Sequence, residues 1–245
     1  MKKETCISSS PEACDRLSHS GTARELVYIN YWKRKNLLNK LPVFPILQWW
    51  DTVELSQIER FILNKIQHRE AILDVGAGDL RLMQKFQKFG YTGQYHTQDI
   101  GGEETYTYQS LSEVKRQYPA IICWDVIEHL ALEEGLSLLN MLVSLLESDG
   151  ILLLHTPNAR SIKNIFYWDM THLHGYNLPD LWAYLTCLKL EVEGYRVVFT
   201  NKRYSFFGKV NFLFSRYLIA KVLGCDYADG IFLLARKPQA LRAGN

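Results

Sequence analysis

Short apolar runs alternate with helical patterns from residue 70 onwards, and this alternation restricts the possible folds more than any other feature. Residues 71–75, 94–100, 120–124 and 151–156 have strand character, and the stretches 80–89, 108–118 and 132–148 between them have helical character. The run ILLLHT at 151–156 is almost continuously apolar, which is typical of a parallel strand covered on both faces. Alternation of this kind predicts an α/β fold with a doubly wound parallel sheet and right-handed crossovers.

The regions outside this alternation divide the chain further. Residues 1–20 are polar and serine-rich and are predicted to be a disordered tail. Residues 21–69 are predicted to form helices on the cap or substrate side, one over 24–41 and one over 51–68 with Asp51 as N-cap. Residues 70–240 form the main domain, with strands at 195–200 and 230–237 and a helical insertion at about 201–228.

Charge and cysteine content exclude some classes of protein. The 28 Lys and Arg residues nearly balance 26 Asp and Glu residues, so nucleic acid is a disfavoured partner. The five cysteines form no CxxC pair, which favours a reduced, cytoplasmic chain. The apolar stretch 204–223 contains Lys209 and Arg216, which disfavours a membrane span. A helix lying on a membrane, and a lid over a pocket, are both compatible with this stretch.

A glycine turn follows the first strand of the domain. Asp74 precedes Gly76 and Gly78, and Asp99 ends the next strand, where a carboxylate can accept bonds from ribose hydroxyls. This arrangement predicts a nucleoside-containing ligand. The dinucleotide fingerprint requires a third glycine, but Arg81 stands at that position, and this difference disfavours hydride transfer.

A second group of polar residues follows the strand at 120–124, in the stretch WDVIEHL at 124–130. If a helix begins there, Asp125, Glu128 and His129 share one face of its first turn. They could stabilise a helix start, or bind a divalent metal such as Mg²⁺, Mn²⁺, Fe²⁺ or Zn²⁺ together with His172 or His174 after strand 151–156. They could also supply a general base, because histidine titrates near neutral pH.

These pieces together resemble the class I S-adenosylmethionine-dependent methyltransferase family. ILDVGAGDLRLM is similar to its first motif, QDI to its ribose-binding strand end, WDVIEHL to its fourth-strand motif, and LLESDGILLLHTPN to its fifth-strand motif. The resemblance implies a Rossmann-like, seven-stranded, mostly parallel sheet with an antiparallel C-terminal hairpin and added helices. It implies S-adenosylmethionine as cofactor, with the methionine end near Asp74 and Gly76, the ribose on Asp99 and the adenine on Ile100. The full set of implied cofactor-binding residues is Asp74, Gly76, Ala77, Gly78, Asp99, Ile100 and Asp125.

One departure from the family pattern is Leu80, at a position where many members have a further glycine. Because that position opens the helix, we expect Leu80 to affect packing more than cofactor binding. His155, inside the fifth-strand motif, is assigned to the core or to the cofactor lining.

The catalytic and metal assignments depend on narrower resemblances. A carboxylate-x-x-Glu-His set with a later histidine is similar to the metal site of small-RNA 3′-terminal 2′-O-methyltransferases and of ubiquinone-pathway O-methyltransferases. It implies Asp125, Glu128, His129 and His172 as metal ligands, with Asp125 in place of the usual Glu. The catalytic candidates are Glu128, His129, His172 and His174.

The acceptor prediction uses Thr156-Pro157-Asn158 and the segment DMTH at 169–172, which resemble bacterial methyltransferases of surface-polysaccharide and secondary-metabolite pathways. The resemblance implies O-methylation of a hydroxyl on a sugar or another small biosynthetic intermediate. A lipid-linked or quinone-like acceptor, an RNA 2′-hydroxyl and a non-catalytic binding role are the alternatives. Peripheral membrane contact through 204–223 is compatible with the lipid-linked alternative.

Overall fold

A computed structural model describes residues 31–49, 54–101, 104–162, 169–199 and 206–239. The predicted tail at 1–20, the first part of the helix predicted at 24–41 and the N-cap assigned to Asp51 lie outside these residues. Within them the helices are α1 Tyr31–Leu38, α2 Gln57–Ile66, α3 Arg81–Lys88, α4 Leu132–Ser144, α5 Leu178–Cys187 and α6 Phe206–Leu223. The strands are β1 Ile46–Trp49, β2 Ala71–Val75, β3 Gln94–Gln98, β4 Tyr118–Trp124, β5 Leu146–Pro157, β6 Glu191–Phe199 and β7 Gly230–Arg236.

The seven strands form one sheet in the order β1-β6-β7-β5-β4-β2-β3. Every neighbouring pair is parallel except the two pairs made by β7, which runs antiparallel to both β5 and β6. The predicted fold class, a mostly parallel sheet with an antiparallel C-terminal hairpin, is confirmed. Because β2, β4, β5 and β6 run in the same direction, the segments that leave them emerge at one carboxyl edge.

Helices cover both faces of the sheet, and the central strands are buried on both sides. Along β4, Ile121 and Cys123 belong to the layer that contains α4 and α5, while Ala120 and Ile122 belong to the layer that contains α2 and α3. Each of these β4 side chains is completely buried. Full burial of an aliphatic side chain contributes about 1.5–3 kcal/mol, so this near-continuous apolar strand fixes the centre of the sheet.

The start of α2 is set by a capping box at Ser56. The Ser56 hydroxyl accepts from the Glu59 N–H at 3.3 Å, and the Glu59 carboxylate accepts from the Ser56 N–H at 2.6 Å. These two bonds satisfy N–H groups that have no partner inside the helix. The predicted helix over 51–68 is therefore shorter, beginning at Gln57.

Several predicted elements differ from the structure. The segment 108–118 is not a helix: only the 3₁₀ turn Leu111–Glu113 forms before β4 begins. The helix predicted to stop at Asp149-Gly150 ends at Ser144, and that dipeptide lies inside β5. Asp149 has φ +63° and donates its N–H to the Lys237 carbonyl. Asp149-Gly150 therefore interrupts the regular strand geometry of β5 without ending the strand. Two elements, β1 and α5, were not predicted.

β1 joins the edge of the sheet, so the segment before residue 70 is not purely helical. It pairs in parallel with β6, from Ile46 opposite Arg196 to Trp49 opposite Phe199. Its four residues follow Pro45 and carry no clear alternation, which is why the sequence gives little signal for a strand there.

Helix α6 connects β6 with β7 and lies within the predicted insertion. Arg216, 6% exposed, donates from both terminal nitrogens to the two carboxylate oxygens of Asp229 at 2.7 and 2.8 Å. Asp229 also accepts from the Phe199 N–H at 2.8 Å, so one buried carboxylate links α6, β6 and the start of β7. Among the described residues, no helix has the length and apolar character needed to cross a membrane.

The pair between Arg216 and Asp229 gives a direct test of how α6 is held. Asp229→Asn leaves the buried guanidinium without its counter-charge, and we expect a loss of about 3–5 kcal/mol in the free energy of unfolding. Asp149→Asn is the matched control, because Asp149 pairs with Arg236 at 2.8 Å with both side chains more than one third exposed. That control should lose less than about 1 kcal/mol in urea denaturation. Equal losses in the two variants would show that the buried pair does not hold the helix.

Candidate active site

The glycine turn directly after β2 is held against β3. The N–H groups of Gly76 and Ala77 both donate to the Gln98 carbonyl, at 2.8 and 3.1 Å. Gly76 has φ +73°, and a Cβ there would lie 2.2 Å from a methyl group of Val126. The residue at 76 must therefore be glycine for two reasons, backbone conformation and the close approach of the turn after β4.

The second glycine of the turn opens into free space. Gly78 has φ +50°, and a Cβ built there would meet no atom within 4 Å. Its N–H donates to Asp99 Oδ2 at 2.8 Å, and its carbonyl accepts from the Tyr106 hydroxyl at 2.8 Å. The other oxygen of Asp99 accepts from the Gly101 N–H at 2.8 Å. Each carboxylate oxygen keeps a further lone pair, so Asp99 can still accept bonds from a ligand.

Leu80 occupies the N-cap of α3 with φ +58°, in the left-handed region. A branched side chain pays roughly 1–2 kcal/mol for that conformation, which glycine adopts freely. This is the physical reason for a glycine at the equivalent position of the resembling family. Leu80 therefore adds backbone strain to the turn, and the expectation that it affects packing more than cofactor binding stays a prediction.

A cavity of about 400 Å³ adjoins the glycine turn. It is bounded by the turn itself, by two tryptophans at strand ends and by charged residues of β2, α2 and α3. Its lining consists of Trp49, Glu59, Asp74, Gly76, Ala77, Gly78, Asp79, Arg81, Leu82, Lys85, Trp124 and Asp125. Inside it, Lys85 Nζ lies 2.8 Å from Glu59 Oε1, and both side chains are at most one tenth exposed. Five of the seven predicted cofactor-binding residues line this single cavity. Asp99 does not line it, but it accepts a hydrogen bond from the N–H of Gly78, which does.

The two remaining predicted cofactor residues, Asp99 and Ile100, follow β3 on the same edge. Ile100 is 92% exposed, so its side chain offers an open apolar surface beside the turn. Asp74 is buried and accepts from the Tyr95 hydroxyl at 2.7 Å. Burial raises the pKa of Asp74 to about 7, with the negative charge of Asp99 adding to the rise and the Tyr95 bond opposing it. A cationic group bound beside Asp74 would favour its ionised form.

Asp125 leaves β4 in an unusual conformation with φ +54°. Its Oδ1 lies 2.6 Å from Nδ1 of the buried His155, and the His155 ring stacks on Trp124 with centroids 4.2 Å apart. The sequence placed Asp125 on the first turn of a helix together with Glu128 and His129. Instead a 3₁₀ turn begins at Ile127, its cap residue Val126 makes no side-chain cap bond, and Asp125 points to β5.

Glu128 lies in that 3₁₀ turn and is completely buried. Its Oε2 accepts from the Thr156 hydroxyl at 2.8 Å, while its Oε1 has no partner among the described residues. Burial raises the pKa of Glu128 to about 8, and the charges of Asp125 and Asp169 add to the rise. A buried carboxyl with one unsatisfied oxygen is costly unless it is protonated or faces a cation.

His129 and His172 lie beside this carboxyl. Ligating atoms of Glu128, His129 and His172 all lie within 4.8 Å of one another, and the two imidazole rings make an edge contact at 4.7 Å. Thr171 lies 2.8 Å from His129 Nδ1 and donates its hydroxyl to Asp169 at 2.7 Å. The fold therefore brings together three of the four predicted metal ligands; Asp125 is directed instead to His155.

His174, the fourth catalytic candidate, lies in a different environment. Its ring contacts Tyr176 at 4.8 Å, and it lines a separate cavity of about 230 Å³ beside α1 and α5. Burial lowers its pKa, with Glu133 opposing the change. Its backbone N–H donates to the Glu128 carbonyl at 3.2 Å, so it supports the turn through the main chain.

Several site residues were not found from the sequence. Trp49 reaches the cavity only because β1 joins the sheet, and Lys85 and Glu59 meet across 26 positions of chain. Thr171 lies within the quoted segment DMTH, and its position between an aspartate and a histidine was the only signal available. None of the others belongs to a local pattern, because each is brought to the site by packing.

Comparisons with known proteins agree with this geometry. A family model described as a methyltransferase domain matches residues 51–212, more than half of the chain. This chain belongs to that methyltransferase-domain family. No curated protein matches the sequence.

Solved structures share the fold at low sequence identity. A SAM-dependent methyltransferase from Archaeoglobus fulgidus is 15% identical, with a TM-score of 0.53 over 73% of this chain and 94% of that one. The plantazolicin methyltransferase BpumL in complex with SAH is 13% identical, with a TM-score of 0.51 over 93% and 98%. An S-adenosylmethionine-dependent methyltransferase from Clostridium acetobutylicum ATCC 824 is 12% identical, with a TM-score of 0.50 over 74% and 90%.

These comparisons confirm the predicted class I S-adenosylmethionine-dependent methyltransferase fold and the prediction of a methyltransferase enzyme. The individual site residues, the acceptor and the metal stay predictions.

The raised pKa of Glu128 makes stability depend on pH. Below about pH 4.3, the ordinary glutamate pKa, the folded and unfolded chains both carry the proton, and burial of this group has no charge cost. Between about pH 4.3 and about pH 8, Glu128 keeps its proton in the folded chain and loses it in the unfolded chain. The contribution of Glu128 to stability therefore falls as pH rises through this range.

Glu128→Gln removes this titration without changing size. Between about pH 5 and about pH 8.5, we expect its free energy of unfolding to rise relative to wild type by about 2–4 kcal/mol. Urea denaturation in EDTA measures this difference. Glu191→Gln, an exposed glutamate at the start of β6, is the control and should show no such trend. A difference between Glu128→Gln and wild type that stays constant with pH would contradict the assignment.

Proposed function

We propose that this protein uses S-adenosylmethionine to methylate a hydroxyl of a sugar or another small biosynthetic intermediate. The observation that carries the proposal is a strained glycine turn open to a cavity of about 400 Å³, with a Glu-His-His cluster on the same carboxyl edge of the sheet. The first part fits a nucleoside cofactor, and the second supplies groups that can remove a hydroxyl proton.

The residues around the turn fit the parts of S-adenosylmethionine. Asp74 has a raised pKa and would pair with the cationic methionine end, while the open face of Gly78 leaves room for a ligand against the backbone. Asp99 would accept from the ribose hydroxyls, and the exposed Ile100 would cover the adenine. When bound, S-adenosylmethionine supplies an electrophilic methyl group on a positively charged sulfur. The SAH bound to BpumL, on a similar fold, supports this assignment.

The chain's own contribution to the reaction is positioning and proton removal. Methyl transfer to an acceptor hydroxyl would require that the hydroxyl lose its proton. His129 or His172 would accept that proton, because an imidazole is basic near neutral pH and both rings lie beside the buried Glu128. Thr171 and Asp169 would orient the ring of His129.

Cofactor binding is tested by calorimetry. We expect Asp99→Asn to bind S-adenosylmethionine about 10- to 100-fold more weakly, because a neutral amide offers one acceptor oxygen where the carboxylate offers two. Glu191→Gln, at the opposite edge of the sheet, should bind like wild type. Unchanged affinity in Asp99→Asn would remove Asp99 from the site, and no binding by folded wild type would overturn the enzyme proposal in favour of a non-catalytic role.

A second candidate is metal-assisted O-methylation, favoured by the unsatisfied buried oxygen of Glu128 next to two histidines. The donor set fits a divalent ion such as Mn²⁺, Fe²⁺ or Zn²⁺, which accepts mixed carboxylate and imidazole ligands. Glu128, His129 and His172 would hold it, and the ion would lower the pKa of an acceptor hydroxyl.

Metal binding has a specific pH signature. Glu128 must lose its proton to coordinate, so affinity for Mn²⁺ or Co²⁺ should rise about tenfold per pH unit up to about pH 8. Titration of the metal-free chain, followed by Co²⁺ absorption, measures this. Glu128→Gln and His172→Asn should abolish the signal, and His68→Asn, an exposed histidine after α2, should keep it.

Turnover separates the two mechanisms. Under the metal mechanism, EDTA stops methyl transfer from labelled S-adenosylmethionine to a hydroxylated acceptor, and Mn²⁺ restores it. Under the general-base mechanism, EDTA has no effect and His129→Asn or His172→Asn loses activity while still binding the cofactor. A Co²⁺ signal that survives in Glu128→Gln would contradict the metal site.

A further inference from the structure

Helix α6 connects strands at the carboxyl edge of the sheet, the edge that carries the proposed acceptor site. It leaves the carboxyl end of β6 and returns to the start of β7, beside the end of β5. The segment after α6 also pairs with the loop that follows β5: the Ile162 N–H donates to the Asp226 carbonyl, and the Asp226 N–H donates to the Arg160 carbonyl, both at 2.9 Å. The loop after β5 and the segment after α6 are therefore joined by backbone hydrogen bonds.

The two sides of α6 are chemically opposite. One side holds it to the sheet through the buried Arg216 and through Ala220, which is 2% exposed. The other side carries a row of large apolar residues spaced four apart, so that they lie one above the other. Their exposed fractions are Val210 49%, Phe214 64%, Leu218 51% and Val222 77%. Four such residues in one row are more than isolated exposed hydrophobics and mark an interaction surface.

Among the described residues, positive side chains predominate at the C-terminal end of this row. By sequence, residues 200–225 include five Lys and Arg residues and no Asp or Glu, although one of the five, Arg216, is buried and paired with Asp229. At the C-terminal end of α6, Arg160, Arg196 and Lys221 line a cavity of about 260 Å³. Asp226 is the only acidic residue among its described lining residues, and it already pairs with Arg196. An apolar helix face flanked by cations is typical of helices that lie in the interface of a membrane with anionic lipids.

We propose that α6 docks the enzyme on an anionic membrane surface, with the apolar row in the interface and the cationic cavity facing lipid phosphates. The docking itself does not depend on the proposed function. Only one consequence rests on it, namely that the acceptor site at the carboxyl edge faces the lipid. A second copy of the chain fits less well, because a symmetric contact through α6 would bring the cations of both copies together. The long side chain of Lys221 can extend along the helix to reach the phosphate level.

Co-sedimentation of the full chain with vesicles tests the docking. Wild type should bind vesicles of phosphatidylcholine containing phosphatidylglycerol at least about tenfold more tightly than pure phosphatidylcholine, and salt should weaken the binding. Phe214→Glu and Leu218→Glu should reduce binding by at least about tenfold, since each places a negative charge in the apolar row. Met141→Glu, the same change at an exposed apolar position of α4, is the matched control and should bind like wild type.

Calorimetry with S-adenosylmethionine keeps this test separate from the enzyme proposal. Affinity should be unchanged in Phe214→Glu and Leu218→Glu, which also shows that these variants are folded. If wild type binds the cofactor but not the anionic vesicles, only the docking proposal fails. Vesicle binding that is unaffected by Phe214→Glu, or a concentration-dependent dimer that Leu218→Glu dissociates, would also overturn it.

Discussion

The parallel alignment of β2, β4 and β5 is the constraint on which the site depends. Register places Asp74 opposite Ile122, and Trp124 opposite His155, so the chain leaves these strands within reach of its neighbours. Because the strands are buried on both faces, their polar residues collect where the strands end. The glycine turn, the turn after β4 and the loop after β5 meet there, and each restricts the next: Val126 fills the space that a side chain at position 76 would need.

This edge buries two carboxyl groups, Asp74 and Glu128, and one oxygen of Glu128 has no hydrogen-bond partner among the described residues. The pKa values of Asp74 and Glu128 are both raised, chiefly by burial, to about 7 and about 8. Burial of such carboxyl groups lowers the stability of the folded protein. A cationic ligand beside each carboxyl would offset that loss. Under the proposed function, the positively charged methionine end of the cofactor would pair with Asp74, and a divalent ion would pair with Glu128. Asp74 would then lie on the cofactor side of this edge and Glu128 on the acceptor side.

The elements that the sequence predicted were those with strong local signals. The sequence predicted β2, β4, β5 and the glycine turn correctly. Each depends on a few adjacent residues: a continuous apolar run indicates a strand buried on both faces, and the glycines indicate the backbone conformation of the turn. β1 could not be predicted in this way, since its four residues owe their strand conformation to pairing with β6. The segment 108–118 looked helical by composition, yet Val114 and Tyr118 are buried against the sheet in an extended path. Tertiary burial overrode local propensity there.

For the site, the sequence by itself determined which chemical groups gather at the carboxyl edge: Gly76 and Gly78, Asp74 and Asp99, and the histidines that follow β4 and β5. It did so because parallel strands place their ends together whatever the details of packing. Only the tertiary structure decided how these groups are divided. It turned Asp125 towards His155, left one oxygen of the buried Glu128 beside His129 and His172, and placed His174 against another cavity. Those outcomes depend on a left-handed backbone at Asp125 and a short 3₁₀ turn in place of a helix, and spacing along the chain carries no signal for either.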